Sequence, residues 1–312
     1  MQTLPIIVNR TGGVAAATGD KLREQIESAF ADSTSAIDIQ ILDGEKLGDA
    51  MARVVDAPKI VVGGGDGTVA CAAEALADKL TALALLPLGT LNHFARDLGI
   101  PHDLEEAAAL ALTGSPTSID LGSVNGYRFI NNASIGLYPS MVSLREHYRA
   151  TSGLPKWLAS VPAAWTALSQ LRHNRLYVDT GAGREPVITP LLFVGNNIYS
   201  LQAGEVGSRA SLCDGLFCVF AVERRSRMSL LWFGLRTIMG RANRTSDFVL
   251  LGECAQLTVT ARSQSTDVGL DGEVRRLNFP LEFEIEPGAL NVICPPGATS
   301  TPTPSSSKGE RR

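Results

Sequence analysis

The chain has 312 residues, of which 45% are hydrophobic, 6% aromatic and 19% charged. This composition is too apolar for an intrinsically disordered protein, and the length corresponds to about two domains of ~150 residues each. The net charge is −4, so the molecule has no overall positive field to hold a polyanion, and we expect no nucleic-acid partner.

The N-terminal sequence and the cysteines favour a cytoplasmic protein. MQTLPIIVNRTGG contains no basic leader, and no stretch of the chain reaches the ~18 uninterrupted apolar residues of a membrane span. The cysteines are scattered and form no CxxC pair, so we interpret them as buried thiols in a reducing compartment. They are Cys71, Cys213, Cys218, Cys254 and Cys294.

Residues 1–120 alternate short apolar runs with helical patterns, which is typical of a parallel sheet flanked by helices. Asp103 is expected to cap one of the helices, with Glu106 reaching back to it. The pattern therefore predicts a doubly wound α/β domain over residues 1–120. The apolar runs, all of strand length, are LPIIVN (4–9), IDIQIL (37–42), KIVVGG (59–64) and ALALLPLG (82–89).

The pattern changes after residue 120. Two apolar runs flank Asn125-Gly126, which is the strongest short signal for a β-hairpin. Further strand-like runs are separated by turn residues rather than helices, which predicts an antiparallel β-sandwich or barrel over residues 121–287. Residues 297–312 are low in complexity and are expected to form a disordered tail.

A glycine-rich loop follows the third apolar run. Glycines let backbone amides approach an anion, and the N-terminus of a following helix directs further amides and its dipole at the same place. The loop is not a Walker A motif, because no Gly-Lys-Ser/Thr follows, and not a dinucleotide fingerprint, because Thr68 occupies the third glycine position. It predicts a phosphate site of another type, although a βα turn without a ligand would also fit. The loop comprises Gly63, Gly64, Gly65, Asp66, Gly67 and Thr68.

Four motifs in order resemble the diacylglycerol kinase catalytic-domain family, especially its soluble bacterial lipid-kinase branch, with sphingosine kinases as relatives. The resemblance implies an α/β domain similar to that of NAD kinases, a C-terminal antiparallel β-sandwich, and ATP bound in the cleft between them. It also implies that a last strand, within residues 288–296, returns to the first domain. The motifs are GGGDGT (63–68), PLGTLNHFARDLGIP (87–101), NNASIGL (131–137) and LDGE (270–273).

The resemblance implies which residues bind the nucleotide. The glycine loop would line the phosphates, and Gly89, Thr90 and Asn92 would lie beside them. Asn9, in VNRTGG, matches the family's first-strand loop imperfectly. Asp120 lies where relatives have another acid of the interdomain cleft, and a purely structural role fits it equally well.

Three acids are the candidates for the chemistry. Asp66 would hold Mg²⁺ against the triphosphate or orient the attacking hydroxyl. Glu273 corresponds to the residue proposed as general base in bacterial relatives, and Asp271 would supply a second polar or metal contact. Asp-Gly also favours ordinary turns, so LDGE fits a plain β-turn as well, and the sequence leaves open whether Asp66 or Glu273 is the base.

Two positions depart from the family pattern. The family's structural Mg²⁺ site would consist of the Asp214 carboxylate with the carbonyls of Ser211 and Leu216, but relatives often carry a second acid where this chain has Cys213. His93 stands where many bacterial relatives have Asp. A neutral imidazole cannot replace a carboxylate as a Mg²⁺ ligand, although it could donate a hydrogen bond to phosphate or ribose.

A basic and apolar segment suggests contact with an anionic membrane surface. Its arginines bracket MSLLWFGLRTIMG (228–240), an amphipathic pattern that could lie on a bilayer, and residues 154–173 are similar in character. Both helical insertions could equally cover the sandwich core. The arginines are Arg224, Arg225, Arg227, Arg236, Arg241 and Arg244.

The sequence thus predicts a cytoplasmic lipid kinase, peripheral at the inner membrane face, that uses ATP and Mg²⁺ to phosphorylate diacylglycerol or a similar lipid alcohol. One alternative is a cofactor kinase like NAD kinase, which shares the Gly-Asp-Gly loop. A second is a catalytically silent lipid- or nucleotide-binding module, suggested by His93 and Cys213. The sequence predicts no oligomeric state.

Overall fold

The computed structural model describes residues 3–136, 174–199, 211–222 and 248–296, together with Pro139 and Arg209. The two predicted helical insertions, the arginines between 224 and 244 and the tail over 297–312 lie outside the described residues. No helix among the residues described combines the length and apolar character that a bilayer crossing requires.

The described residues form α-helices and β-strands in the following order along the chain. The helices are α1 (Gly13–Thr18), α2 (Leu22–Ala29), α3 (Leu47–Val54), α4 (Asp66–Leu76), α5 (His93–Asp97) and α6 (Leu104–Thr113). The strands are β1 (Thr3–Asn9), β2 (Ala36–Leu42), β3 (Lys59–Gly64), β4 (Ala82–Pro87), β5 (Pro116–Val124), β6 (Tyr127–Phe129), β7 (Asn132–Gly136), β8 (Asn174–Asp179), β9 (Arg184–Thr189), β10 (Leu191–Asn196), β11 (Phe217–Val222), β12 (Phe248–Cys254), β13 (Gln256–Ala261), β14 (Ser265–Leu270), β15 (Glu273–Asn278) and β16 (Leu281–Ile293).

The N-terminal strands form a parallel sheet in the order β2-β1-β3-β4. Successive residues of β1, such as Ile6 and Ile7, are both fully buried because the two faces of a parallel sheet are both covered. The strand order reverses between β1 and β3, and open α/β sheets bind ligands beyond the carboxyl ends of the strands at such a point. The loops after β1, β3 and β4 meet at this edge.

Strand β16 connects the two parts of the molecule. Near its C-terminus it pairs in parallel with β4, at Asn291 and Ala82, and near its N-terminus it pairs antiparallel with β13, at Leu281 and Val259. Strand β5 runs alongside both ends of β16 and continues without a break through residue 120. One sheet therefore extends through both parts, in the order β2-β1-β3-β4-β16-β13-β8-β9.

A second sheet of six antiparallel strands has the order β12-β11-β10-β7-β14-β15. It packs face to face with the antiparallel end of the first sheet, and apolar side chains from both fill the space between them. Phe217 of the second sheet, for example, meets Phe283 of the first edge to face at 6.2 Å between ring centroids. The predicted fold class, an α/β part followed by an antiparallel sandwich, is confirmed.

Local sequence signals correctly predicted several turns and caps. Asn125 and Gly126 join β5 to β6 with φ of 49° and 81°, the left-handed conformations of a two-residue hairpin. The Asp103 side chain caps α6 by accepting hydrogen bonds from two amides in its first turn. These elements form because the residue types favour them locally.

The prediction that all five cysteines are buried was wrong for Cys213. The five are free thiols, of which Cys218, Cys254 and Cys294 are buried and Cys71 is half-buried. Cys213 is exposed because it lies in the turn before β11 rather than in a strand. Its thiol contacts the carbonyl oxygen of Ser118 at 3.2 Å.

Candidate active site

The three loops at the edge of the parallel sheet approach each other through glycine backbones. A Cβ on Gly89 would overlap the Cα of Gly65, and a Cβ on Gly13 would lie 2.5 Å from the carbonyl carbon of Gly89. Gly13 also has a φ of 55°, which disfavours other residues. Gly65 and Gly89 belong to the motifs predicted to bind the nucleotide. Gly13 does not, because its role depends on a contact with another loop.

The glycines of the predicted phosphate loop have different roles. A Cβ on Gly64 would lie 2.5 Å from the Thr68 hydroxyl, and one on Gly63 would press on the Leu88 side chain at 3.0 Å. Gly67, in contrast, is exposed with no atom within 4 Å of where its Cβ would be. Packing therefore requires glycine at positions 63, 64 and 65, whereas Gly67 leaves open space in front of the first turn of α4.

Backbone amides are available at that opening. The amides of Thr68 and Val69 donate to the carbonyl of Gly65, which closes the first turn of α4. The two preceding amides, of Asp66 and Gly67, have no acceptor among the described residues, as expected for the first turn of a helix. We call these two groups, the amides of Asp66 and Gly67, the open amides. Together with the positive end of the helix dipole, they form a surface suited to a phosphate group.

Asn9 and Thr68, both predicted to bind the nucleotide, bind each other. The Asn9 amide donates to the Thr68 hydroxyl at 2.9 Å, and its oxygen accepts from the amide and hydroxyl of Thr11. These bonds connect the loop after β1 to α4. The two side chains hold the loops in place, which accounts for the burial of Thr68.

The motif after β4 is organised by Asn92. This residue is buried in a left-handed conformation, accepts from the amide of Gly89 and donates to the carbonyls of Pro87 and Gly89 at 3.0–3.1 Å. Its bonds close the turn. Thr90, at the tip, is exposed, as are Leu91 and His93 of the same motif.

The carboxylate of Asp66 caps helix α5. It accepts hydrogen bonds from the amides of His93, at 3.2 Å, and Phe94, at 3.0 Å. His93 therefore meets Asp66 through its backbone, while its side chain is exposed. Each carboxylate oxygen of Asp66 accepts one amide and retains a further lone pair, so this half-buried group fits a hard cation.

Asp271 and Gly272 form the tip of the β14–β15 hairpin, with φ of 48° and 92°. The Asp271 carboxylate accepts from the amides of Ile130, Asn131 and Asn132 at 2.7, 2.8 and 3.1 Å. Burial raises the pKa of Asp271 to about 6, although these bonds and nearby Arg209 favour the ionised form. Asp271 thus anchors the hairpin to the segment before β7.

Glu273 is the free carboxylate of the LDGE motif. Its side chain is 72% exposed and lies 4.0 Å from Arg275. Its charge also acts on Cys71 of α4, because the pKa of that thiol is raised by burial and then by the charges of Glu74 and Glu273. Glu273 therefore influences α4, the helix that begins at the open amides.

Asp120 is buried within the protein. Its carboxylate accepts from the amide of Gly215 at 2.8 Å and from that of Gly288 at 3.0 Å. These bonds connect the turn before β11 to strand β16. Each oxygen accepts one backbone amide, as in Asp66, but Asp120 is only 4% exposed, which favours the structural role for this residue.

The predicted structural metal site lies in the turn before β11. One oxygen of Asp214 accepts from the amide of Ile198 at 3.2 Å, and the other has no hydrogen bond among the described residues. Partial burial and the charges of Asp120 and Asp214 raise the pKa of Cys213 to about 11, so this thiol stays neutral. A carboxylate oxygen without a hydrogen bond is a ligand that hard cations prefer, and Ser211 and Leu216, whose carbonyls are the other predicted ligands, lie in the same turn. Within the described part of the chain, no cluster of three His, Cys, Asp or Glu side chains could hold a metal.

Arg209 belongs to none of the sequence motifs. Its side chain is fully buried and forms an ion pair with Asp97 at 2.8 Å. A lone arginine with no motif around it gives no sequence signal, because its importance depends on burial and on contacts with distant segments.

The sequence is similar to those of known proteins. A family model for the diacylglycerol kinase catalytic domain matches residues 3–124. A protein of Pseudomonas aeruginosa (strain UCBPP-PA14) named "probable lipid kinase YegS-like" is 34% identical over 249 residues, which are 77% of each chain. A protein of the same name from Pseudomonas fluorescens (strain Pf-5) is 30% identical over 289 residues, covering 88% of this chain and 92% of the relative.

Solved structures share the fold. A diacylglycerol kinase from Bacillus anthracis str. Sterne superposes with a TM-score of 0.65 at 19% identity, covering 96% of this chain and 98% of that one. An NAD kinase from Archaeoglobus fulgidus, solved in complex with ATP, gives a TM-score of 0.52 at 12% identity, with 96% and 95% covered. By its motifs, its fold and its similarity to these relatives, the chain belongs to the diacylglycerol kinase catalytic-domain family, in its bacterial branch.

Proposed function

We propose that the chain is a lipid kinase that transfers the γ-phosphate of ATP to the hydroxyl of diacylglycerol or a similar lipid alcohol, with Mg²⁺. One observation carries the proposal: the exposed Glu273 carboxylate lies beside the hairpin tip that Asp271 fastens to the amides of residues 130–132. Burial, and after it the charges of Glu74 and Glu273, raise the pKa of Cys71 on α4. An exposed carboxylate thus acts electrostatically on the helix whose first amides are suited to bind phosphate.

In the proposed reaction, the open amides of Asp66 and Gly67 bind the phosphates of ATP. The Glu273 carboxylate accepts the proton of the lipid hydroxyl while the hydroxyl oxygen forms a bond to the γ-phosphorus. The bond between that phosphorus and the bridging oxygen breaks, and ADP leaves. The loops of Gly13, Gly65 and Gly89 hold these groups in place, and phosphoryl transfer depends mainly on such positioning.

Two residues are proposed to hold Mg²⁺. Asp66, the first residue of α4, retains a lone pair on each carboxylate oxygen, and Asp214 has one oxygen without a hydrogen bond in the turn before β11. When bound at Asp66, Mg²⁺ neutralises charge on the transferred phosphate. At Asp214, with the carbonyls of Ser211 and Leu216, it has a structural role.

We also propose that the protein is cytoplasmic and acts at the inner membrane face, because its acceptor resides in a bilayer. The charge and the apolar side chains for this contact come from residues 224–244, which include the six arginines, and from residues 154–173. Replacing Arg224, Arg225 and Arg227 by Gln should weaken binding to vesicles of anionic lipid. Unchanged binding would rule out this patch as the contact.

The experiment that tests the function is transfer of labelled γ-phosphate from ATP in the presence of Mg²⁺. Purified protein is incubated with vesicles containing diacylglycerol, sphingosine, ceramide or monoacylglycerol, and NAD serves as a soluble acceptor. Label in one lipid establishes the activity and its acceptor class. Label in NAD instead supports the second candidate, a cofactor kinase, which the fold likeness to NAD kinase favours. No label, in a protein that still binds ATP and vesicles, supports a silent binding module.

A further inference from the structure

Arg209 forms a buried ion pair with the last residue of α5. Its Nε donates to the Asp97 carboxylate at 2.8 Å, and the two side chains are 0% and 6% exposed. The rings of Phe94 and Tyr199 flank the guanidinium, with centroids 5.8 and 5.3 Å from its central carbon. A buried ion pair is costly unless its remaining donors are also satisfied, so the other nitrogens of Arg209 are informative.

Those nitrogens bind the segment between β6 and β7. Nη1 donates to the carbonyls of Ile130 at 2.8 Å and Asn196 at 3.1 Å, and Nη2 donates to the side-chain oxygen of Asn131 at 2.7 Å. The amides of the same segment donate to Asp271. Arg209 and Asp271 therefore both hold this segment, Arg209 through its acceptors and Asp271 through its amides.

Helix α5 is likewise held at both ends. Its first amides donate to Asp66, and its last residue, Asp97, pairs with Arg209. The helix has five residues and is about 7 Å long, so its two anchors are close together. Hydrogen bonds thus run without interruption from the glycine loop, through α5 and Arg209, to the hairpin that carries Glu273.

We propose that Arg209 is a positioning residue: it fixes the segment that binds Asp271 to the helix that Asp66 caps. The inference rests on the proposed function. Asp66 is the first residue of α4, directly after the parallel sheet, whereas Asp271 lies at a hairpin tip of the six-stranded sheet. A displacement of about 1 Å between reacting groups can lower a rate ~100-fold, so the connection through Arg209 maintains the geometry of transfer.

The test uses the full chain with Asp97→Asn, which keeps an acceptor without the charge, and Arg209→Lys, which keeps the charge without the planar fork. We expect kcat for lipid phosphorylation to fall ~10–100-fold while the KM for ATP changes less than about twofold. The double variant should lose no more than the worse single variant, because both break one connection. Arg184→Lys is the control, since the exposed Arg184 of β9 lies over the ring of half-buried Tyr177 on β8 and takes no part in these connections.

Hydrogen exchange separates positioning from stabilisation. Asp97→Asn should increase exchange at the amides of Ile130, Asn131 and Asn132, across the boundary between the two sheets, while β1, β3 and β4 stay protected. Wild-type kcat and exchange in the folded variants would overturn the proposal. A loss of kcat accompanied by uniformly faster exchange would overturn it too, because Arg209 would then only stabilise the fold.

Two further outcomes are distinguishable. If Arg209→Lys does not fold, Asn131→Ala removes one acceptor and leaves the ion pair, and the same selective exchange and fall in kcat are expected. If the wild-type chain phosphorylates no acceptor, the proposed function fails. Hydrogen exchange then decides by itself whether Arg209 connects α5 to residues 130–132. Loss of protection at Ile130 to Asn132 in Asp97→Asn then supports the connection, and unchanged protection refutes it.

Discussion

The Asp66 carboxylate accepts a hydrogen bond from the backbone amide of His93, at 3.2 Å, and not from its imidazole. The cap on α5 is therefore independent of the side chain at position 93. His93 is the position at which the sequence departs most from its family pattern. The local structure around it does not depend on that departure.

Replacing His93 by Asp should leave the fold intact. We expect the free energy of unfolding to change by less than about 0.5 kcal/mol, as for most exposed positions, whereas Asp66→Ala removes the cap and should cost about 1–2 kcal/mol. Urea unfolding of both variants measures the difference. A loss in His93→Asp as large as that in Asp66→Ala would show that the imidazole is part of the cap.

Replacing Glu273 by Gln should affect chemistry and not stability. The side chain is 72% exposed, so the free energy of unfolding should stay constant, while loss of the general base should lower kcat ~100- to 10,000-fold. Glu284→Gln, at an exposed position on β16, is the matched control and should retain full activity. If Asp66→Asn abolishes turnover while Glu273→Gln remains active, the base is Asp66.

Two glycine substitutions should have opposite effects on stability. In Gly89→Ala the new Cβ would overlap the backbone of Gly65, which should cost about 3 kcal/mol or more. In Gly67→Ala the Cβ meets open space within a helix, so stability should rise by about 0.5–1 kcal/mol. The same methyl group stands in front of the open amides, so the KM for ATP should increase. An unchanged KM would argue against phosphate binding there.

Asp271 should make the stability of the protein depend on pH. Burial raises its pKa from 3.8 to about 6, so the folded state binds a proton more tightly than the unfolded state does. This contribution is complete below pH 4 and is lost as the pH rises through 6. Between pH 5 and pH 7.5, the free energy of unfolding of the wild type should therefore fall by about 1 kcal/mol relative to that of Asp271→Asn. Urea unfolding at both pH values tests this, and a parallel response of the two proteins would contradict it.

Local signals predicted much of the fold because they depend on near neighbours in the chain. The strands and the Asn125-Gly126 hairpin follow from apolar runs and residue types, and both were confirmed. Gly63 and Gly64 were predicted to line phosphate groups, and the sequence could not show that a leucine side chain and a buried hydroxyl leave no room for a Cβ at these positions. Arg209 was invisible, since its contacts come from segments far apart in sequence.

The continuity of β16 also bears on how the chain folds during synthesis. Strand β4 obtains its second neighbour from residues 291 and 292, so the parallel sheet keeps an unpaired edge until these residues have left the ribosome. Contacts between such distant segments form slowly, and an open strand edge is prone to wrong pairing. We expect nascent chains stalled with residue 280 at the tunnel exit to be cleaved readily by protease near β4, and chains released beyond residue 296 to resist.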